Sequence, residues 1–158
     1  MQPIIIKKDK LCVTGLSGDG GNTGKVWEDF EKAYGANPFP KVCEHAYEIR
    51  FWDGEKPAQK GMDIHVGLLT KNAVCTADFT TVELPAAEYA VFDVCIAGGY
   101  DSGNAEMDKW LADNAAVYKQ MELDGVQYII EVYKDEKFAN SVVEFWIPVL
   151  RRVHNGQK

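Results

Sequence analysis

Two stretches near the C-terminus decide the fold: Tyr128-Ile-Ile-Glu-Val-Tyr-Lys134 and Val142-Val-Glu-Phe-Trp-Ile-Pro-Val149. Both are apolar and rich in β-branched and aromatic residues, so both read as β-strands. Side chains alternate along a strand, so Glu131 and Tyr133 share one face, as do Glu144 and Trp146. Ile130 and Val132, with Val143, Phe145 and Ile147, then form the core-facing set. If the two polar faces coincide, neighbouring strands present two carboxylates and two large aromatics together. That combination suits a flat, apolar cation, through charge pairing and cation–π contact. The same carboxylates would move a proton if burial and mutual repulsion raised one of them. The plain alternative is a pair of strand-edge glutamates facing water.

Working outward, the residues before these strands form a second pattern. Glu88 to Ile96 reads as a strand, Gly98-Gly-Tyr-Asp-Ser-Gly103 as a turn, and Asn104 as the cap of a helix to about Tyr118. Met107, Trp110, Leu111 and Ala115 line one side of that helix. The first half repeats the order. Ile4 to Leu16 reads as a strand pair or one long strand, followed by the turn Gly18-Asp-Gly-Gly21. Asn22 or Thr23 caps a helix to about Tyr34, with Val26, Trp27, Phe30 and Ala33 at helical spacing, and Gly35 ends it. Residues 36–41 form a loop. His45 to Trp52 is a strand, Asp53-Gly54 starts a turn, and Gly61 to Leu69 is the hairpin partner. Thr70 to Leu84 is a less regular connection. The repeat offset is about 80 residues, which indicates duplication rather than a solenoid. The expected fold is therefore α+β: two strand-helix-strand-strand modules related by a pseudo-twofold axis, with antiparallel sheets forming a central groove. One domain spans 1–158, with module one at about 3–71, a connection at about 72–85 and module two at about 86–150.

Composition narrows the function. The chain has 158 residues and a formal net charge of −7, which argues against direct nucleic-acid contact, because a phosphate backbone needs a basic patch. No basic segment leads into an apolar one at the N-terminus, and no apolar run reaches about 20 residues. Neither export nor a membrane partner is expected. Cys12, Cys43, Cys75 and Cys95 are isolated, without a Cys-x-x-Cys, which fits a reducing cytoplasm and suggests no metal. Gly18 to Lys25 fails as a phosphate loop, because Asp19 stands where its first glycine would be and Val26 where a hydroxyl would hold magnesium. His45, His65 and His154 are far apart and read as structural. No Gly-x-Ser-x-Gly is present, so a hydrolytic triad is unsupported. Trp27 and Trp110 sit at core spacing in their helices. Tyr47, Ile49 and Phe51 share one strand face, while Glu48, Arg50 and Trp52 share the other; parity alone does not say which aromatic faces the groove. No cofactor is expected.

The segments Glu88-Tyr-Ala-Val-Phe92, Gly98-Gly-Tyr100, Ile130-Glu-Val-Tyr133 and Val143-Glu-Phe-Trp-Ile-Pro-Val149 together resemble the GyrI-like small-molecule-binding family, which includes the effector-binding domains of multidrug-sensing transcription regulators. The resemblance implies a pocket between two modules for cationic, amphipathic aromatic compounds. It puts pocket glutamates at Glu131 and Glu144, a lining aromatic at Trp146, and first-module lining residues at Phe51 and Trp52. Tyr133 and Trp110 are further stacking candidates. Many relatives carry a helix-turn-helix domain ahead of this module, whereas this sequence opens directly on the first strand, so it reads as a stand-alone member. The leading expectation is a module that binds a cationic or aromatic small molecule. One alternative is a hydrolase of cyclopropane-containing genotoxins, with Glu131 and Glu144 as its catalytic groups. Another is an inhibitory module acting on a protein partner, such as a gyrase modulator.

Overall fold

The computed structural model describes residues 2–53, 56–57, 63–74 and 76–153. The readings placed on Gly54, Gly61, Cys75 and His154 lie outside the described residues. Strands β1 (Ile4–Lys8) and β2 (Leu11–Gly18) lead through a 3-10 turn, Gly20–Asn22, into α1 (Thr23–Ala36). Then come β3 (Ala46–Asp53), the short β4 (Lys56–Pro57), β5 (Ile64–Thr70), β6 (Thr80–Leu84) and β7 (Ala87–Cys95). The second helix, α2 (Asp101–Asp113), precedes β8 (Tyr118–Gln120), β9 (Glu122–Leu123), β10 (Val126–Tyr133), the single-turn α3 (Asp135–Phe138) and β11 (Val142–Arg151).

These strands form one antiparallel sheet with the path β1-β7-β11-β10-β3-β5-β2-β6. The path reads the same from either end. β3 and β10 pair at the centre, β5 and β11 flank them, and β2 and β7 lie outside those. The outermost strands are exchanged: β1 pairs with β7 of the second half, and β6 pairs with β2 of the first. The expected duplication and pseudo-twofold arrangement are therefore present. Four local expectations change. The segment Ile4 to Leu16 forms two strands, but they do not pair with each other, because β1 leaves β2 for β7. The connection from Thr70 to Leu84 contains β6. Gly35 lies inside α1, whose last turn is closed by Asn37 donating to the Ala33 carbonyl, and Asn104 lies inside α2, which Tyr100 precedes.

The sheet buries both faces. On the face away from the helices, one cluster holds Val13, Tyr47, Ile49, Tyr89, Tyr128, Ile130, Val132 and Trp146. Ile6 from β1 and Leu84 from β6 join it, although they come from opposite ends of the strand path. The sheet must curl into a half-barrel for them to meet. On the helix face, α1 lays Val26 and Phe30 on Ile64, Val66 and Leu68, while α2 lays Met107 and Trp110 against Phe92, Val94, Phe145 and Ile147. Each helix thus covers one half. The central strands β3 and β10 lie between the two covers, and that uncovered strip is where a groove forms.

Candidate functional site

The register across β10 and β11 sorts the proposed residues. Ile130 faces Trp146, Glu131 faces Phe145, and Val132 faces Glu144. Directly paired residues share a sheet face. Glu131 and Tyr133 therefore point to the helix side, whereas Glu144 and Trp146 point into the half-barrel with Ile130 and Val132. The two carboxylates lie on opposite sides of the sheet, which corrects the expectation that they meet.

Glu144 has its own surroundings. It accepts from Lys137 Nζ at 2.7 Å and Trp146 Nε1 at 2.9 Å, and Lys134 Nζ stands 3.2 Å away. Burial works to raise its carboxyl, but these donors outweigh it and hold the group below the ordinary range. It is a satisfied structural carboxylate. Trp146 packs between Tyr47 and Tyr89, and Lys8 lies over its ring at 5.6 Å. Phe51 packs on Tyr128 on the same side. Trp110 is enclosed by Phe92 and Tyr118 beneath α2. None of these four lines the groove.

The groove itself, about 560 Å³, lies over β3 and β10 between the start of α1 and the inner side of α2. Glu131, Tyr133 and Trp52 line it, joined by Glu48 and Arg50. The pairing of Glu131 with Glu48 across the central strands puts two carboxylates side by side, and the next pair along on this face, Ile129 with Arg50, adds a guanidinium. Arg50 Nε donates to Glu48 Oε2 at 2.8 Å and to Glu131 Oε2 at 3.0 Å, and its Nη2 donates to Thr23 Oγ1 at 3.1 Å. Trp27 Nε1 donates to Glu48 Oε1 at 2.7 Å, and the Tyr133 hydroxyl donates to Glu131 Oε1 at 2.7 Å. Trp27 also meets Tyr133 edge to face at 6.1 Å. Glu48 and Glu131 are 1% and 5% exposed.

Two buried carboxylates share one guanidinium, so full ionisation leaves the floor with one net negative charge. Burial, then the neighbouring Glu48 charge, lift the Glu131 carboxyl to about 7, against the downward pull of Arg50 and the Tyr133 hydroxyl. Burial and the two carboxylates hold the Tyr133 phenol well above its usual range. Loss of solvation works against the Arg50 cation, yet Glu48 and Glu131 more than offset it. Sequence reasoning missed Glu48 and Arg50 as site residues. The signal was available: Glu48-x-Arg50-x-Trp52 repeats the alternation of Glu131-x-Tyr133 on the partner strand. Trp27, read as core, is instead a half-buried hydrogen-bond donor to the site.

The sequence matches Cass2, described as integron-associated effector binding protein, over residues 5–149. The chain belongs to this family. No curated protein matches it. Among solved structures, SAV2435 bound to tetraphenylphosphonium shares the fold, with a TM-score of 0.66 at 12% identity, covering 95% of this chain and 94% of that one. The EcmrR C-terminal domain gives 0.63 at 13%, covering 96% and 98%. A putative bacterial transcription regulation protein from Staphylococcus aureus MU50 gives 0.61 at 13%, covering 94% and 98%. This Cass2 member thus has the fold that its resemblance to the GyrI-like family implies. Among the described residues, no helix is long and apolar enough to cross a membrane.

Proposed function

We propose that this Cass2 member is an effector-binding protein that takes amphipathic aromatic cations into the groove between α1 and α2. The observation that carries the reading is the floor: Glu48 and Glu131 buried side by side with one guanidinium between them. Trp52 and Tyr133 offer ring surfaces, while Met107, Leu111 and Ile129 offer apolar ones. All four carboxylate oxygens already receive a donor, so the floor supplies charge without asking the ligand for hydrogen bonds. A cation whose charge is spread over aromatic groups fits that demand. Tetraphenylphosphonium, the molecule bound to SAV2435, is of this kind.

The test is calorimetric titration with tetraphenylphosphonium of the wild type, Glu131→Gln and Trp52→Ala. Wild type should bind saturably in the micromolar range, with each substitution weakening binding by about tenfold or more, the worth of one charge-assisted or aromatic contact. Saturable binding that Glu131→Gln leaves untouched would overturn the reading, as would no binding by the wild type.

A further inference from the structure

Among the charged groups lining the groove, the capacity left open is of two kinds at two places. Each floor carboxylate oxygen is engaged: Glu48 by Trp27 and Arg50, Glu131 by Tyr133 and Arg50. Arg50 is the reverse case. A guanidinium has five N–H groups. Here Nε is shared by the two carboxylates and one Nη2 hydrogen goes to Thr23. The remaining three have no partner among the described residues. The side chain is 24% exposed and lines the groove. What the floor still offers a ligand is therefore a cationic, planar donor, the group best shaped for a carboxylate.

On the α2 wall, Asp108 lines the same groove and has no ion pair or hydrogen bond among the described residues. Trp52, Leu111 and Ile129, which are apolar or aromatic, line the same groove. The groove thus has open guanidinium N–H groups on β3, a carboxylate on α2 that is unpaired among the described residues, and apolar lining besides.

We infer that the groove is selective for aromatic zwitterions, with the ligand's carboxylate on the Arg50 guanidinium and its cationic nitrogen toward Asp108, and that Arg50 is the residue that sets this preference over plain cations of the same ring system. The inference rests on the groove being the ligand site. The titratable and charged groups lining the groove are Glu48 and Arg50 of β3, Glu131 and Tyr133 of β10, and Tyr100 and Asp108 of the α2 side. As Glu131 loses its proton with rising pH, the floor gains negative charge, which works against the ligand's carboxylate.

Rhodamine 110, a zwitterion, and its methyl ester rhodamine 123, a plain cation, differ only at the carboxylate. Their fluorescence-anisotropy titrations at pH 6.5 and 8.5 test the inference, with tetraphenylphosphonium as the reference ligand. Wild type should bind rhodamine 110 about tenfold or more tighter than the ester at pH 6.5, the lower end expected for hydrogen bonds to a charged group. The acid should weaken toward pH 8.5 while the ester tightens. Arg50→Gln should reverse the ranking, and Arg50→Lys should restore part of it. Because Arg50→Gln leaves two buried carboxylates without their counterion, Asp108→Asn on exposed helix surface provides a second route: it should weaken both dyes several-fold without altering their ranking. Equal or tighter binding of the ester by wild type overturns the inference, and if tetraphenylphosphonium still binds, the groove reading survives. Failure of all three ligands overturns both.

Discussion

Glu131 and His65 pull the stability of this protein in opposite directions with pH. The Glu131 carboxyl is raised in the fold, from an ordinary 4.5 to about 7, by burial and by Glu48. The folded state therefore holds more protons than the unfolded one between those values. Its contribution is complete below 4.5 and is lost as pH rises through 7. Urea denaturation of Glu131→Gln against wild type should show the variant gaining on wild type by about 1–3 kcal/mol from pH 5 to pH 8, and a constant difference would refute the assignment. His65 is fully buried on the opposite sheet face. Its Nε2 is 2.8 Å from the Val13 carbonyl, which can only accept, so Nε2 carries the hydrogen and Nδ1 accepts from the Ser17 hydroxyl at 2.9 Å. Burial lowers the ring from 6.5 to about 4, against a smaller upward effect of the Val13 bond. Its contribution is complete above 6.5 and is lost as pH falls toward 4. In His65→Gln the acid-side decline of stability between pH 6.5 and 4 should become shallower by a comparable amount, as read from the same denaturation series. Both ring nitrogens of His65 are thus engaged inside the sheet, with Ser17 and with the Val13 carbonyl.

Among the elements, the pairing of β2 with β5 depends on two glycines facing each other, Gly15 and Gly67. A Cβ on Gly15 would fall on the Val66 carbonyl oxygen, and one on Gly67 on the Thr14 carbonyl oxygen. Backbone, rather than a yielding side chain, is in the way. Gly15→Ala should cost about 3 kcal/mol, the upper end of the range for overpacked cores, and lower the urea midpoint accordingly. The opposite result, an unchanged midpoint, would mean that the two strands separate more easily than their packing suggests. The strands also show what alternation along a sequence can and cannot decide. It correctly paired Glu131 with Tyr133 and Glu48 with Trp52 on common faces. It could not place Glu144 beside or behind Glu131, because a shift of one residue in strand register sends a whole strand's side chains to the other face. Both faces of β11 are buried, so Glu144 carried no polarity signal to distinguish a groove from a core.

The molecule as a whole is two similar halves tied by exchanged outer strands. The repeated strand-helix-strand-strand order was legible because each half carries its own glycine-rich turn and its own helix stripe. The exchange was not, since nothing in Ile4-Ile-Ile-Lys-Lys8 names a partner about eighty residues away. Those isoleucines cover the outer edge of β7, and Ile6 joins the half-barrel core. A chain lacking residues 1–9 should lose about 2–4 kcal/mol of stability from that lost burial. Its bare β7 edge should also promote self-association, seen as a concentration-dependent shift in size-exclusion elution. An unchanged urea midpoint and a monomeric profile would show the arm to be dispensable.

The arm's distant pairing also fixes an order of events during synthesis. At about 5–20 residues per second, the ribosome takes roughly 4 to 16 seconds after making β1 to deliver the strand that shelters it. For that interval three consecutive isoleucines stand in the nascent chain without a native neighbour. β2, by contrast, receives β5 and β6 before β7 is made. The first half can therefore assemble on the ribosome while its leading strand waits, and the final closure of the sheet belongs to the time around release.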